Sequence, residues 1–178
     1  MTTDPDYLAL LKAVTENVAD DLPRLVLADW LDEHGQPDWA EFIRVQCRLF
    51  HMTEDERQTP EGSELRLRQY AVQGCIPALL PDFPDLVQDT VNGQGMWYAN
   101  DIGGTIRFCF RRGFVAEVRC NYLTWLAGIG LIVTVAHPVE VVHTDAVIVT
   151  PDGETDDWRL SELLVAWAKQ QTGRPRNG

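Results

Sequence analysis

Cys120 and His143 are the side chains in this sequence best suited to nucleophilic catalysis, because a thiol needs a neighbouring imidazole to act as a thiolate near neutral pH. Both lie in segments that read as strands, so strand pairing would assemble the dyad, and alternation puts His143 on one face with Val139 and Val141. The default reading takes Cys120, like Cys109, as a core thiol, with the dyad as the alternative and no residue assigned as catalytic. Other chemistries find less support. Ser63 and Ser161, the only serines, lie outside any G-x-S-x-G turn, and Gly93-Gln94-Gly95 lacks the third glycine and the lysine of a phosphate loop. Cys47, Cys75, Cys109 and Cys120 form no C-x-x-C pair, and the histidines supply no metal-ligand spacing. Neither a cofactor nor a metal is therefore expected. Asp156 and Asp157 are adjacent, so regular backbone points them apart, and they read as a solvated acidic loop leading into a helix cap.

Residue types suited to recognition are more numerous. Asp32, Glu33 and His34 crowd the C-terminal end of a predicted helix, where carboxylates oppose the helix dipole. They mark either a site for a basic partner or a tolerated solvated face. Of six tryptophans, Trp30, Trp125 and Trp167 fall on apolar helical faces and read as core. Trp39, Trp97 and Trp158 flank turns and polar residues, and exposed tryptophan is a frequent interface anchor. The candidate partner-binding set is therefore Asp32, Glu33, Trp39, Trp97, Asp156, Asp157 and Trp158, with loop stapling as the alternative role for the tryptophans.

Charge narrows the partner. In 178 residues, 15 Lys+Arg against 27 Asp+Glu give a net charge of -12. This disfavours a nucleic-acid backbone or an anionic membrane as ligand and favours a basic protein, one that itself handles nucleic acid being a candidate. Residues 1–80 carry 15 acidic and 7 basic residues, net -8, and residues 81–178 carry 12 and 8, net -4. The longest apolar run, Trp125–Ala136, is interrupted by Gly128, Gly130 and Thr134 and falls short of the roughly 20 residues that span a bilayer. The first residues lack a signal-peptide pattern, and a cytoplasmic protein is expected.

The elements that must position these residues divide the chain in three. Residues 1–80 read as a bundle of three to four helices: about Asp6–Glu16; a helix capped by Asp21 with Pro23 in its first turn and Gly35-Gln36-Pro37 at its end; about Asp38–Met52; and about Pro60–Leu80, with Thr53–Gly62 as a loop or broken turn. Residues 81–104, rich in proline and glycine, read as an irregular connector. Residues 105–178 read as a small mixed α/β portion. Thr105–Phe110 and Phe114–Cys120 flank an Arg111-Arg112-Gly113 turn, a helix of about Tyr122–Val135 is weakened by two glycines, and short strands fall at Val139–His143 and Ala146–Thr150. A C-terminal helix, Trp158–Gln171, carries Leu160, Leu163, Leu164 and Trp167 on one side. Helices first and strands after give an α+β fold.

One stretch is specific enough to suggest a family. Asp20-Asp21-Leu22-Pro23-Arg24-Leu25-Val26-Leu27-Ala28-Asp29-Trp30-Leu31-Asp32-Glu33-His34-Gly35-Gln36-Pro37, continued by Glu41-Phe42-Ile43-Arg44-Val45-Gln46, resembles the bacterial repeat-companion domain, a small helical module found beside leucine-rich and other short repeats. The resemblance covers about Asp4–Leu49, with Phe110–Val118 and His137–Val142 similar to segments that often follow that module. Trp39-Ala40 departs from the family pattern, and the strands stop after one or two. The resemblance implies architecture and protein contacts and supplies no catalytic residues. Read from the residues themselves, Asp29 follows Leu22, Leu25 and Val26 at helical spacing and so falls on an apolar face, where an unpaired carboxylate is costly. Arg44 on the next helix is its expected partner, with Arg24 second, at about 3 Å.

Overall fold

A computed structural model describes residues 4–83, 85–89, 96–101, 104–144 and 157–172, with backbone alone for Asp89, Asn100, Asp101, residues 157–161 and residues 171–172. The fold is α+β, helices preceding a five-stranded sheet and a helix closing the chain. It divides into two compact units: residues 1–81 together with Arg111–Phe114, and residues 82–110 with 115–178.

The first unit is helical. α1 (Pro5–Glu16) starts where Asp4 Oδ1 accepts the Asp6 and Tyr7 amides at 2.9 and 3.2 Å, and it buries Tyr7, Leu11 and Val14. α2 (Leu22–Glu33) buries Leu27, Ala28 and Leu31. Its expected cap, Asp21, makes no capping bond. Asp20 Oδ1 takes the Leu22 amide instead, at 2.9 Å, because the Asp21 carboxylate is held elsewhere. Gly35, at φ +77°, turns the chain out of α2, and Pro37 opens α3 (Pro37–His51), the main core helix. Phe42, Ile43 and Val45 of α3 are almost fully buried.

The Thr53–Gly62 segment, expected as loop, contains a short helix, α4 (Glu54–Arg57). Its cause is local: the Thr53 hydroxyl accepts the Glu56 amide while the Glu56 carboxylate accepts the Thr53 amide, a reciprocal capping box. α5 (Pro60–Val72) follows, and at Gly62 a Cβ would meet the Arg57 carbonyl oxygen at 2.5 Å, so backbone packs on backbone here. The single helix expected to about Leu80 breaks into a 3₁₀ turn at Gln73–Cys75 and α6 (Ile76–Leu79), with Gly74 at the break.

The sheet of the second unit comprises β1 (Val87–Asp89), β2 (Met96–Asp101), β3 (Gly104–Arg111), β4 (Phe114–Arg119) and β5 (Val141–His143), in that spatial order. β1 and β2 correct the expectation of an irregular connector over 81–104. Trp97 and Ala99 alternate inward along β2, and the strand pairs with β3 over Met96↔Cys109 to Asp101↔Gly104. The surrounding glycines obscured that period of two.

Arg112 (φ 52°) and Gly113 (φ 85°) both take positive φ between β3 and β4, the geometry of a type I′ hairpin. β4 pairs parallel to β5, with Arg119 opposite His143. Parallel strands need a crossover, supplied here by α7 (Tyr122–Thr124), a π-helical turn at Trp125–Ile129 and α8 (Gly130–Ala136). The two glycines that weaken the helical pattern have uses in this crossover. Gly128 adopts φ 140°, and a Cβ on Gly130 would lie 2.6 Å from the Trp125 ring, which is fully buried. α9 (Asp157–Thr172) buries Leu164, Val165 and Ala168 and exposes Leu163, so its inner face is rotated from the one expected. The Ala146–Thr150 strand and the 151–156 turn lie outside the described residues. No helix among the described residues is long and apolar enough to cross a membrane.

Candidate functional site

The outer face of α2 differs from the sequence expectation in one decisive way. Arg44 Nη2 lies 2.7 Å from Asp29 Oδ1 and Nη1 lies 2.6 Å from Asp32 Oδ2, so one guanidinium bridges two carboxylates a helical turn apart. The paired carboxylates raise the Arg44 pKa further above its ordinary value, Asp29 contributing most. The pair is not buried, however: the Asp29 side chain is 74% exposed. Leu22, Leu25 and Val26 share that exposure, at 64, 37 and 43%. α2 carries apolar residues on two sides, and the packing covers only the side of Leu27, Ala28 and Leu31. Arg24, the second candidate for Asp29, is buried and donates instead to the Asp20 and Asn17 carbonyls at 2.6 and 3.4 Å.

Other members of the proposed partner-binding set fall in different places. Trp39 is buried, its Nε1 donating to the Gly113 carbonyl at 3.2 Å and its ring edge-on to Phe114. Trp97 is buried on β2. Neither can meet a partner, which corrects that reading: both fill core, where a large aromatic ring buries much apolar area. Asp32 and Glu33 are exposed at the end of α2, with Asp32 held by Arg44, and His34 stacks on Trp30 with ring centroids 3.7 Å apart. Asp156 and the side chains of Asp157 and Trp158 lie outside the described residues. Glu41 and Arg48 of α3 are paired to Arg68 and Glu61 of α5.

A second cluster had no local signal in the sequence. The buried Arg112 guanidinium donates to the Val18 and Ala19 carbonyls and to Asp21 Oδ1, and lies over the Phe50 ring at 4.5 Å. Asp21 Oδ2 also lies 2.7 Å from His51 Nε2. Burial pushes the nearby Cys47 thiol up to about 12, with the Asp21 carboxylate adding to the shift and Arg24 and Arg112 opposing it. A cysteine so placed is an inert core group rather than a nucleophile.

The third cluster lies in the second unit. A cavity of about 390 Å³ opens where β4 and β5 end, and Cys120 and His143 both line it. The backbone joins them, the Cys120 amide donating to the His143 carbonyl at 3.1 Å. The His143 Nε2 faces Glu117 Oε1 at 3.2 Å, and Glu117 also accepts from Arg119 Nε at 2.9 Å. Cys120 itself is buried. Among the described residues no cluster of His, Cys, Asp and Glu has the arrangement of a metal site. No protein-family model, curated protein or solved structure matches this chain.

Proposed function

We propose that this chain is a protein–protein interaction module or accessory subunit acting in the cytoplasm, with a helical unit of the repeat-companion type. The observation that carries the reading is the solvent-facing ridge of Leu22, Leu25 and Val26, set on the side of α2 away from Leu27, Ala28 and Leu31. Large apolar side chains clustered on an outer helix face mark contact surfaces more often than isolated ones do. Asp29 and Glu33 continue the same helical stripe, and the residues 1–80 that carry it have a net charge of -8. The partner this surface suits is a basic protein presenting apolar side chains among arginines or lysines. Such a partner would use the apolar ridge for affinity and the acidic rim for orientation and association rate.

The test is affinity isolation from native cells with wild-type chain and with a Leu22→Ser/Val26→Ser variant, at low and at raised salt. Both positions are exposed, so the variant keeps its stability within about 0.5 kcal/mol. The expected result is a basic protein retained by wild type, lost with the variant and weakened by salt. Retention of the same proteins by both chains overturns the reading.

A second reading, a hydrolase built on Cys120 and His143, has in its favour that both side chains line one cavity. Loss of a cellular phenotype in Cys120→Ala and His143→Ala, with Leu22→Ser/Val26→Ser unaffected, would favour it over the first.

A further inference from the structure

We propose that the cavity at the ends of β4 and β5 is a binding site for a small oxyanion-bearing ligand, a carboxylate or a phosphate. The proposal is independent of the α2 surface. Its first support is topology. β4, the α7–α8 crossover and β5 form a parallel βαβ unit, and in open α/β sheets ligands bind outside the carboxyl ends of parallel strands. Arg119 and His143, opposed in register, are the last residues of β4 and β5, so their side chains stand at that mouth.

The second support is charge. In a chain of net charge -12, the described residues lining this cavity include Arg107, Arg119 and His143, and none of those described is a carboxylate. Glu117, its side chain 19% exposed, is bonded to Arg119 Nε and His143 Nε2. It thereby orients both side chains while engaging Arg119 through Nε, which leaves the terminal amino groups of that guanidinium outside the bond. Arg107 has no acidic partner among the described residues. Among the described residues, two guanidinium charges face one carboxylate here. Planar guanidinium groups match the paired oxygens of carboxylates and phosphates. Thr105 and Asn121 add neutral polar groups to the wall.

The third support is size. About 390 Å³ lies within the range of small-molecule sites.

The experiment is an NMR titration of the full chain, in separate arms, with inorganic phosphate and with succinate. Amide signals of Cys120, Asn121 and Thr144 and the His143 ring signals are followed. Saturable shifts confined to these residues are expected in at least one arm, and the stronger arm names the ligand class. Arg107→Gln and Arg119→Gln each weaken binding by about tenfold or more, the loss of one charge-assisted contact, while Arg66→Gln in the helical unit leaves it unchanged. Arg107 is exposed, so its removal leaves the fold intact. Absence of saturable shifts in both arms, or titration of the two cavity variants like wild type, overturns the proposal.

Discussion

Arg112 Nη1 lies 3.1 Å from Asp21 Oδ1 although 91 residues separate them, and the Arg112 side chain is almost fully buried where it does so. A hairpin turn thus supplies the positive charge that a helix entrance carries as its counterion. Removing one partner of a buried pair leaves the other desolvated and uncompensated. Arg112→Ala is expected to destabilise the protein by about 3–5 kcal/mol in urea unfolding. Arg112→Lys recovers only part of this, because one ammonium cannot reach Val18 O, Ala19 O and Asp21 together.

Gly113 is constrained twice over. Its φ of 85° disfavours any side chain, and a Cβ there would lie 2.3 Å from Ile43 Cγ1 and 2.8 Å from Ile43 Cα. The far contact is backbone of the core helix, which cannot yield. Gly113→Ala is expected to cost about 2–4 kcal/mol, the sum of left-handed strain and overpacking, read as a fall in denaturation midpoint. Gly35→Ala, at similar φ but with open space around it, should cost only the strain part.

Two thiols give the protein an alkaline limit. Burial raises Cys47 and Cys75 from 9.0 to about 12. Below about pH 9 both thiols are protonated in folded and unfolded chains, and the stability they contribute is complete. As pH rises from there towards 12 the unfolded chain releases protons that the folded chain retains, and that stability is lost. Unfolding curves between neutrality and about pH 10 should show the decline, and Cys47→Ala/Cys75→Ala should flatten its slope even if it lowers the starting stability. Burial raises Tyr7 as well, with the same sign, so a residual slope is expected in the variant.

The Arg44 bridge to Asp29 and Asp32 is exposed, and its effect should be small. Double-mutant cycles on Arg44→Ala with Asp29→Ala or Asp32→Ala are expected to give about 0.2–1 kcal/mol per pair. The coupling should shrink at high salt, whereas the Arg112–Asp21 coupling, shielded from solvent, should persist.

The sequence made the helices legible wherever punctuation and period agreed: Pro23 and Pro60 at first turns and Gly35 at an exit. The Arg44–Asp29 spacing was readable for the same reason, since adjacent helices with a short turn must bring those positions close. Burial was not readable. Leu22, Leu25 and Val26 look like core until it is known which side of α2 the neighbours cover. β1 and β2 were hidden because their period is short and flanked by glycines. The Arg112–Asp21 pair was hidden because its energy depends on proximity that no local pattern encodes. The Cys120–His143 cavity was half visible: strand pairing could be expected to unite the two residues, and Arg119 precedes Cys120 in the chain, but Arg107 joins them only through the sheet order.

The membership of Arg111–Phe114 in the helical unit bears on how the chain is made. When Pro81 leaves the ribosome, Asp21 lacks its buried cation and the Trp39 indole its carbonyl acceptor. The 33 further residues to Phe114 take roughly 2–7 s at about 5–20 residues per second. Throughout that interval the nascent helices must wait incomplete, with apolar surface open to whatever chaperone stands at the exit tunnel.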